Sequence, residues 1–188
     1  MIEEETTMAN ICSFSMKVRG KKENIEQFYK ALTQDGRVYM GRGADANIDY
    51  EDGDNCAFID GCCKWSIRSA LIDNAVSMRT EPDIWYFGDG VSSKDFEFIT
   101  LFEACKRWNI VMEVYSEESG CCFQEHFICD KGEVICNDCI EWNEYCIDDY
   151  DTKEEADKDF GIVISDNEWN SGDAFISRGG FENWDFEI

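Results

Sequence analysis

The stretch SEESGCCFQEHFICDKGEVICNDCIEWNEYC, residues 116–146, holds six of the chain's eleven cysteines and its one histidine. Read as a knuckle, it offers His126, Cys129, Cys136 and Cys139 as H-x-x-C and C-x-x-C, four tetrahedral ligands for zinc. Read as strands, CCFQEHFIC and EVICNDCIEW flank the turn signal DKG and form an antiparallel hairpin. Strand alternation argues for the second reading. Side chains at i and i+3 of a strand leave opposite faces, so Cys136 and Cys139 do not turn toward one ion. The cysteines are then buried or half-buried thiols of a sheet, with the zinc set as the alternative, and no cofactor or metal is expected.

Working outward, IVMEVYSEE supplies a third strand-like run, and the three make a meander. Before it, SSKDFEFITLFEACKRWN, residues 92–109, sets Phe98, Leu101, Phe102, Cys105 and Trp108 on one stripe, predicting a helix capped by Ser92 or Ser93. Near the start of the chain, NICSFSMKVRG alternates, with Cys12, Phe14, Met16 and Val18 on one face and Ser13, Ser15 and Lys17 on the other. That is the pattern of a half-buried strand. KKENIEQFYKALTQDG follows with Ile25, Phe28, Tyr29 and Leu32 at helical spacing and Gly36 as a stop. Residues 37–65 read as a short strand, an acidic loop and a strand over residues 56–65. SIRSALIDNAV then continues as a short helix, and DIWYFGDG reads as an edge or lid segment.

The order strand, helix, strand, strand, helix, strand predicts an α+β fold, the ferredoxin-like split βαβ sandwich, with its antiparallel sheet extended by the C-terminal hairpin. The domain spans residues 9–147. Residues 148–188 form an acidic extension that carries thirteen acidic and three basic residues. Phe160, Ile162, Val163, Ile164, Trp169 and Phe175 give it apolar surface to pack on the domain, so it is expected to be docked rather than free.

Composition narrows the function classes. At 188 residues, 44% hydrophobic and 14% aromatic, the chain has the material of a folded core rather than of a disordered acidic tail. No run approaches the 18 apolar residues of a membrane span, and MIEEETTMAN lacks the basic start and apolar centre of a signal peptide, so a cytosolic location is expected. Free thiols, not a disulfide framework, fit that setting.

Forty-one acidic residues against 17 basic ones leave a net charge of −24. A phosphate backbone would be repelled, which argues against direct nucleic-acid binding and favours a basic protein partner. A chain of this length has a radius of gyration near ~16 Å and a span of about 40 Å. Duplex DNA over that span carries about 24 phosphates. The charge is therefore of DNA-like density.

Three short motifs add a resemblance. NICS at residues 10–13, CKWS at residues 63–66 and SEESGCCFQEHF leading into DKGE resemble the YubB ferredoxin-like domain family of plasmid, conjugative-element and phage-borne proteins. The likeness spans residues 9–145; Ser119 stands where proline is expected before the glycine, leaving that turn less rigid. The resemblance implies a fold and a mobile-element setting, and it supplies no catalytic residues.

Other chemistries are weaker. A thioredoxin-like C-x-x-C needs a helix N-terminus, and Asp138, Glu141 and Glu144 would raise its thiol pKa. A cross-strand disulfide between Cys129 and Cys136 is conceivable under oxidation. His126 with Glu125 or a cysteine makes a dyad without an oxyanion donor, so an enzyme with Cys/His chemistry is a third reading. GRGAD and GDG lack the strand-to-helix setting of a phosphate loop. The leading expectation is a non-enzymatic mobile-element or phage protein that binds a basic protein surface, in its sharpest form an anti-CRISPR inhibitor covering a nuclease's nucleic-acid channel. The contact residues expected are Asp45, Asp49, Glu51, Asp52 and Asp54 in the acidic loop, and Asp148, Asp149, Asp151, Glu154, Glu155, Asp157 and Asp159 in the extension.

Overall fold

The computed structural model describes residues 11–34, 38, 45–51, 55–64, 66–71, 99–181 and 183–188. Strand β1 (Ile11–Arg19) buries Cys12, Phe14, Met16 and Val18, the face its alternation marks. Helix α1 (Lys22–Thr33) lays Ile25, Phe28, Ala31 and Leu32 on that face. Strands β2 (Asp45–Tyr50) and β3 (Cys56–Lys64) follow, then the short helix α2 (Ile67–Leu71) and helix α3 (Leu101–Trp108). After α3 come β4 (Val111–Glu118), β5 (Phe123–Asp130) and β6 (Glu133–Cys146), then α4 (Lys153–Phe160), α5 (Asp166–Trp169) and β7 (Phe175–Gly179).

The seven strands form one sheet in the order β2-β3-β1-β4-β5-β6-β7, antiparallel at every step. The fold is thus α+β on an open antiparallel sheet. α1 and α3 cover one face, where Leu101, Ala104 and Cys105 meet Met112, Val114, Phe127 and Cys129. Phe28 is fully buried and meets Trp108 edge to face at 6.2 Å. Each such side chain contributes about 1.5–3 kcal/mol by leaving water.

Several local expectations are corrected. The segment read as an acidic loop contains β2, because Asp45, Asn47 and Asp49 alternate with Ala46, Ile48 and Tyr50, which pack on the core. Asp52 and Asp54 lie outside the described residues, as do most of residues 37–40, where only Val38 is seen, bridged in parallel to Ile99. DIWYFGDG, Gly36 and Ser92–Ser93 also fall outside them. Helix α3 starts at Leu101, later than the sequence periodicity suggests, because Thr100 forms a capping box with Glu103. Cys121 and Cys122 stand in the turn before β5, not in the strand. Glu118 organises that turn by accepting the Gly120 and Cys121 amides.

The DKG turn is a two-residue hairpin with positive φ at Lys131 and Gly132, the geometry that follows strand twist. β6 then departs from simple alternation. Ile128 pairs with Cys136 but Cys129 with Val134, so Ile135 is an extra residue, a bulge that is 63% exposed. The bulge lets Val134 reach the helix-side core while Cys136 takes the opposite face.

The extension adds a strand that its sequence does not announce. Residues 175–179 pair with residues 142–146 as β7, and Ile147, Ala156, Ile164 and Ile176 form a second, small core with Tyr150, Phe160, Ile162 and Trp169 beside them. Thr152 caps α4, and Gly161 ends it in the left-handed conformation. Among the described residues no helix is long and apolar enough to cross a membrane.

Candidate functional site

The sheet face away from α1 and α3 is covered by Phe181 and residues 183–188, here called the strap. Positive φ at both Gly179 and Gly180 turns the chain off β7, and a Cβ on Gly180 would sit 2.7 Å from Gln124 Oε1. Gln124 instead accepts the Phe181 amide at 2.7 Å. Beyond it the strap crosses β5 and β4. Phe181, Trp184 and Phe186 all contact the Tyr115 ring, whose hydroxyl donates to the Asp185 carbonyl at 3.1 Å. Phe186 also reaches Phe58 on β3.

His126 is the centre of this face. Its ring lies parallel to Tyr115 at 4.0 Å, directly across the β4–β5 pairing. Nε2 is 2.8 Å from Glu113 Oε1, and Nδ1 is 3.5 Å from Cys136 Sγ. Cys136 Sγ in turn stands 3.3 Å from Asp138 Oδ2, and Asp138 is directly opposite His126 in the β5–β6 register. Glu113 is fully buried; its other oxygen accepts the amides of Glu187 and Ile188 at 2.6 and 3.0 Å. One carboxylate therefore holds both the imidazole and the strap.

The order Cys136, His126, Glu113 is that of a nucleophile, a base and an orienting acid. The thiol, however, is tuned the wrong way. Burial, helped by the hydrogen bond to Asp138 and by the charges of Asp138 and Glu187, pushes Cys136 up to about 11. A nucleophilic cysteine needs the opposite shift.

The four sequence-derived zinc candidates are not brought together. His126 and Cys136 share the strap side, whereas Cys129 is buried in the helix-side core against Cys105. Cys139 is exposed on that same side, near Glu125 and Arg68. Strand alternation and the bulge separate the set into two pairs, which also sets Cys129 and Cys136 on opposite faces and removes the disulfide between them. Glu125 is likewise not the partner of His126. It points to the helix side, accepting the Ile67 and Arg68 amides at 2.8 and 3.3 Å and the Ser116 hydroxyl at 2.9 Å. Burial pushes its pKa up despite those donors.

Every cysteine is described, and all eleven are thiols. Cys63 faces Cys12 across β1 and β3, and their hydrogen bond together with burial pushes Cys63 up. Cys105 is raised in the same way by Cys129. Glu113 and Asp138 are the residues that sequence reasoning missed. Glu113 shows only as an odd polar residue in the apolar run IVMEVY, and its partner becomes visible only once the strands are in register.

The acidic positions lie at the two ends of the sheet. Asp45 and Asp49 are exposed on the edge strand β2, and Glu51, exposed beside them, is 3.8 Å from Lys17 Nζ. Asp148, Asp149, Asp151, Glu154, Glu155 and Asp159 are exposed around α4, while half-buried Asp157 accepts the Ile164 amide at 2.7 Å. Asp159 accepts from the Tyr150 hydroxyl, which pushes Tyr150 up to about 12. β2 and β7 are separated by six inter-strand steps of about 4.8 Å, roughly 29 Å. The two runs are separate patches.

No protein-family model, curated protein or solved structure matches the chain.

Proposed function

We propose that this is a non-enzymatic binding protein of a mobile element or phage, built on a ferredoxin-like core, that engages a basic protein surface in the cytoplasm. The net charge of −24 carries the reading. Its support in the fold is that Asp45, Asp49, Asp148, Asp149, Asp151, Glu154, Glu155 and Asp159 are all exposed rather than spent on the core. The order β2-β3-β1-β4, with α1 and α3 on one face, supports the ferredoxin-like assignment.

In its sharpest form the partner is a defence nuclease such as a CRISPR effector, and the chain covers the channel that would hold nucleic acid. Two acidic patches roughly 29 Å apart would face two stretches of such a channel, a separation comparable with the span of about 17 phosphate charges of a duplex at ~1.7 Å each. Steering by a field of one sign gives fast association that weakens with salt.

The test is inhibition of target cleavage by a purified CRISPR effector nuclease, read against ionic strength from about 0.05 to 0.3 M, where the screening length shortens. Inhibition should fall as salt rises, and Asp149→Lys with Asp151→Lys and Glu155→Lys should weaken it. No inhibition at low salt excludes the nuclease form. Inhibition indifferent to both salt and charge reversal excludes charge as the mechanism.

A further inference from the structure

We propose that His126, Cys136 and Asp138 bind a divalent transition metal, zinc in the first place, at a three-ligand site on the strap side of the sheet. Their ligand atoms all lie within 4.8 Å of one another. Zinc bonds of about 2.0–2.1 Å to nitrogen or oxygen and about 2.3 Å to sulfur, opened to the tetrahedral angle, set neighbouring ligands about 3.5 Å apart. The separations here are 3.5 Å from Nδ1 to Sγ and 3.3 Å from Sγ to Oδ2. Two of the three pairs thus already stand at the spacing of ligands on one ion, and the third, within 4.8 Å, closes by rotation of the exposed Asp138 side chain.

An independent feature points to the same ion. Glu113 is fully buried and, as a carboxylate, accepts a hydrogen bond from His126 Nε2–H at 2.8 Å; in that tautomer the Nδ1 lone pair faces Cys136. A carboxylate behind a histidine is how metal-ligating imidazoles are fixed in tautomer and orientation. Neutral imidazole, thiolate and carboxylate sum to two negative charges, matching a divalent cation. The mixed N, S and O donor set suits zinc or cobalt and not magnesium or calcium. On binding, Cys136 releases its thiol proton to solvent and the Sγ–metal bond forms in its place; no electron is transferred.

The site joins β5 to β6 beneath the strap, and Asp138 is exposed, so the fourth position opens to solvent and takes a water. It uses none of the acidic patches. Metal binding and partner binding therefore stand or fall separately.

The test uses the full chain, stripped with a chelator and titrated with cobalt(II). One equivalent should bind, with the absorption of a tetrahedral ion and a thiolate-to-cobalt charge-transfer band, and zinc should displace it. Cys136→Ser should abolish the charge-transfer band, and Asp138→Asn should weaken affinity at least tenfold. Glu113→Gln should keep the band and weaken affinity about 10–100-fold, as loss of an orienting partner does. Cys129→Ser and Cys139→Ser should change neither. Circular dichroism establishes that each variant is folded, and Cys136 and Asp138 lie outside the core, so folding survives their replacement. No cobalt–thiolate band in the folded chain overturns the site, as does a band that survives Cys136→Ser.

Discussion

Glu113 Oε1 lies 2.8 Å from His126 Nε2, and the second oxygen of the same buried carboxylate receives the Glu187 and Ile188 amides. Glu113→Ala should therefore release the strap as well as the imidazole. Leaving a buried donor without an acceptor costs about 1–3 kcal/mol. Amide hydrogen exchange at residues 187 and 188 should accelerate, and the denaturation midpoint should fall. Glu113→Gln, which can still accept from the strap amides, should lose less. Equal exchange rates in the wild type and the alanine variant would show that the strap is held by its aromatics alone.

The aromatic part of the strap has its own expected signature. Phe181, Trp184 and Phe186 surround Tyr115, which burial and the charges of Glu113, Glu187 and Asp185 push up to about 12. Replacing Trp184 and Phe186 by alanine should bare Tyr115 and Phe58, raise binding of a hydrophobic dye and lower the Tyr115 pKa toward its ordinary value. Dye binding unchanged from the wild type would place the strap's weight elsewhere.

Glu125 offers a pH-dependent test. Its folded pKa is raised by burial, so its contribution is fully present below the unfolded carboxylate value near ~4.3 and is lost as pH rises through the folded value. Relative to Glu125→Gln, the wild type should lose stability as pH climbs from the unfolded carboxylate value near ~4.3 toward the raised folded value. Glu125→Ala removes the acceptor for Ile67, Arg68 and Ser116 and should cost about 1–3 kcal/mol at any pH in that range. Denaturant midpoints at two pH values read both effects.

Arg178 and Glu168 couple β7 to α5. The guanidinium is 2.7 Å from Glu168 Oε1 and also donates to Oε2 at 3.0 Å and to the Val163 carbonyl at 3.2 Å. The hydrogen bond to Arg178, with those from Ser165, lowers the Glu168 carboxyl to about 2. The linkage has the sign opposite to that of Glu125: stability is present above the unfolded value and lost as pH falls through about 2. Arg178→Ala should loosen residues 162–179 in hydrogen exchange at pH 7 while residues 11–34 keep their protection.

Ile135 is a test of register. Deleting it removes the bulge and makes Val134 and Cys136 neighbours, which strict alternation sends to opposite faces, so both keep the faces and partners they have now. A change within about 1 kcal/mol is expected by chemical denaturation, and a larger loss would show that the bend the bulge gives β6 is itself needed.

Much of the frame is visible in the residues. The alternation of residues 11–19 specifies β1, because a period of two leaves no other way to bury Cys12, Phe14, Met16 and Val18 together. The 3.6-residue spacing of Ile25, Phe28 and Leu32 specifies α1 in the same way, and DKG specifies the hairpin that fills residues 123–146. Where the reading strays, a tertiary partner decides the matter. β2 holds as a strand because Ile48 and Tyr50 find the core across β3, and β7 holds because residues 142–146 offer it an edge. The start of α3 is a subtler case, since ITLFEACKRW continues an apolar stripe and only the Thr100–Glu103 box marks the first turn.

What the sequence by itself determined is what depends on near neighbours: the periods of strands and helices, the hairpin turn and the net charge. Which polar groups meet was decided by the tertiary structure. His126 and Glu113 stand thirteen positions apart, and Glu113 and the strap more than seventy. Side-chain contacts of that range depend on strand register, on one inserted residue in β6 and on where a glycine pair turns the chain, and none of these is a property of any short stretch. The cysteines of residues 116–146 thus invite a four-ligand site when read in line, while the folded sheet divides them between its two faces and brings Asp138 and Glu113 to the histidine instead.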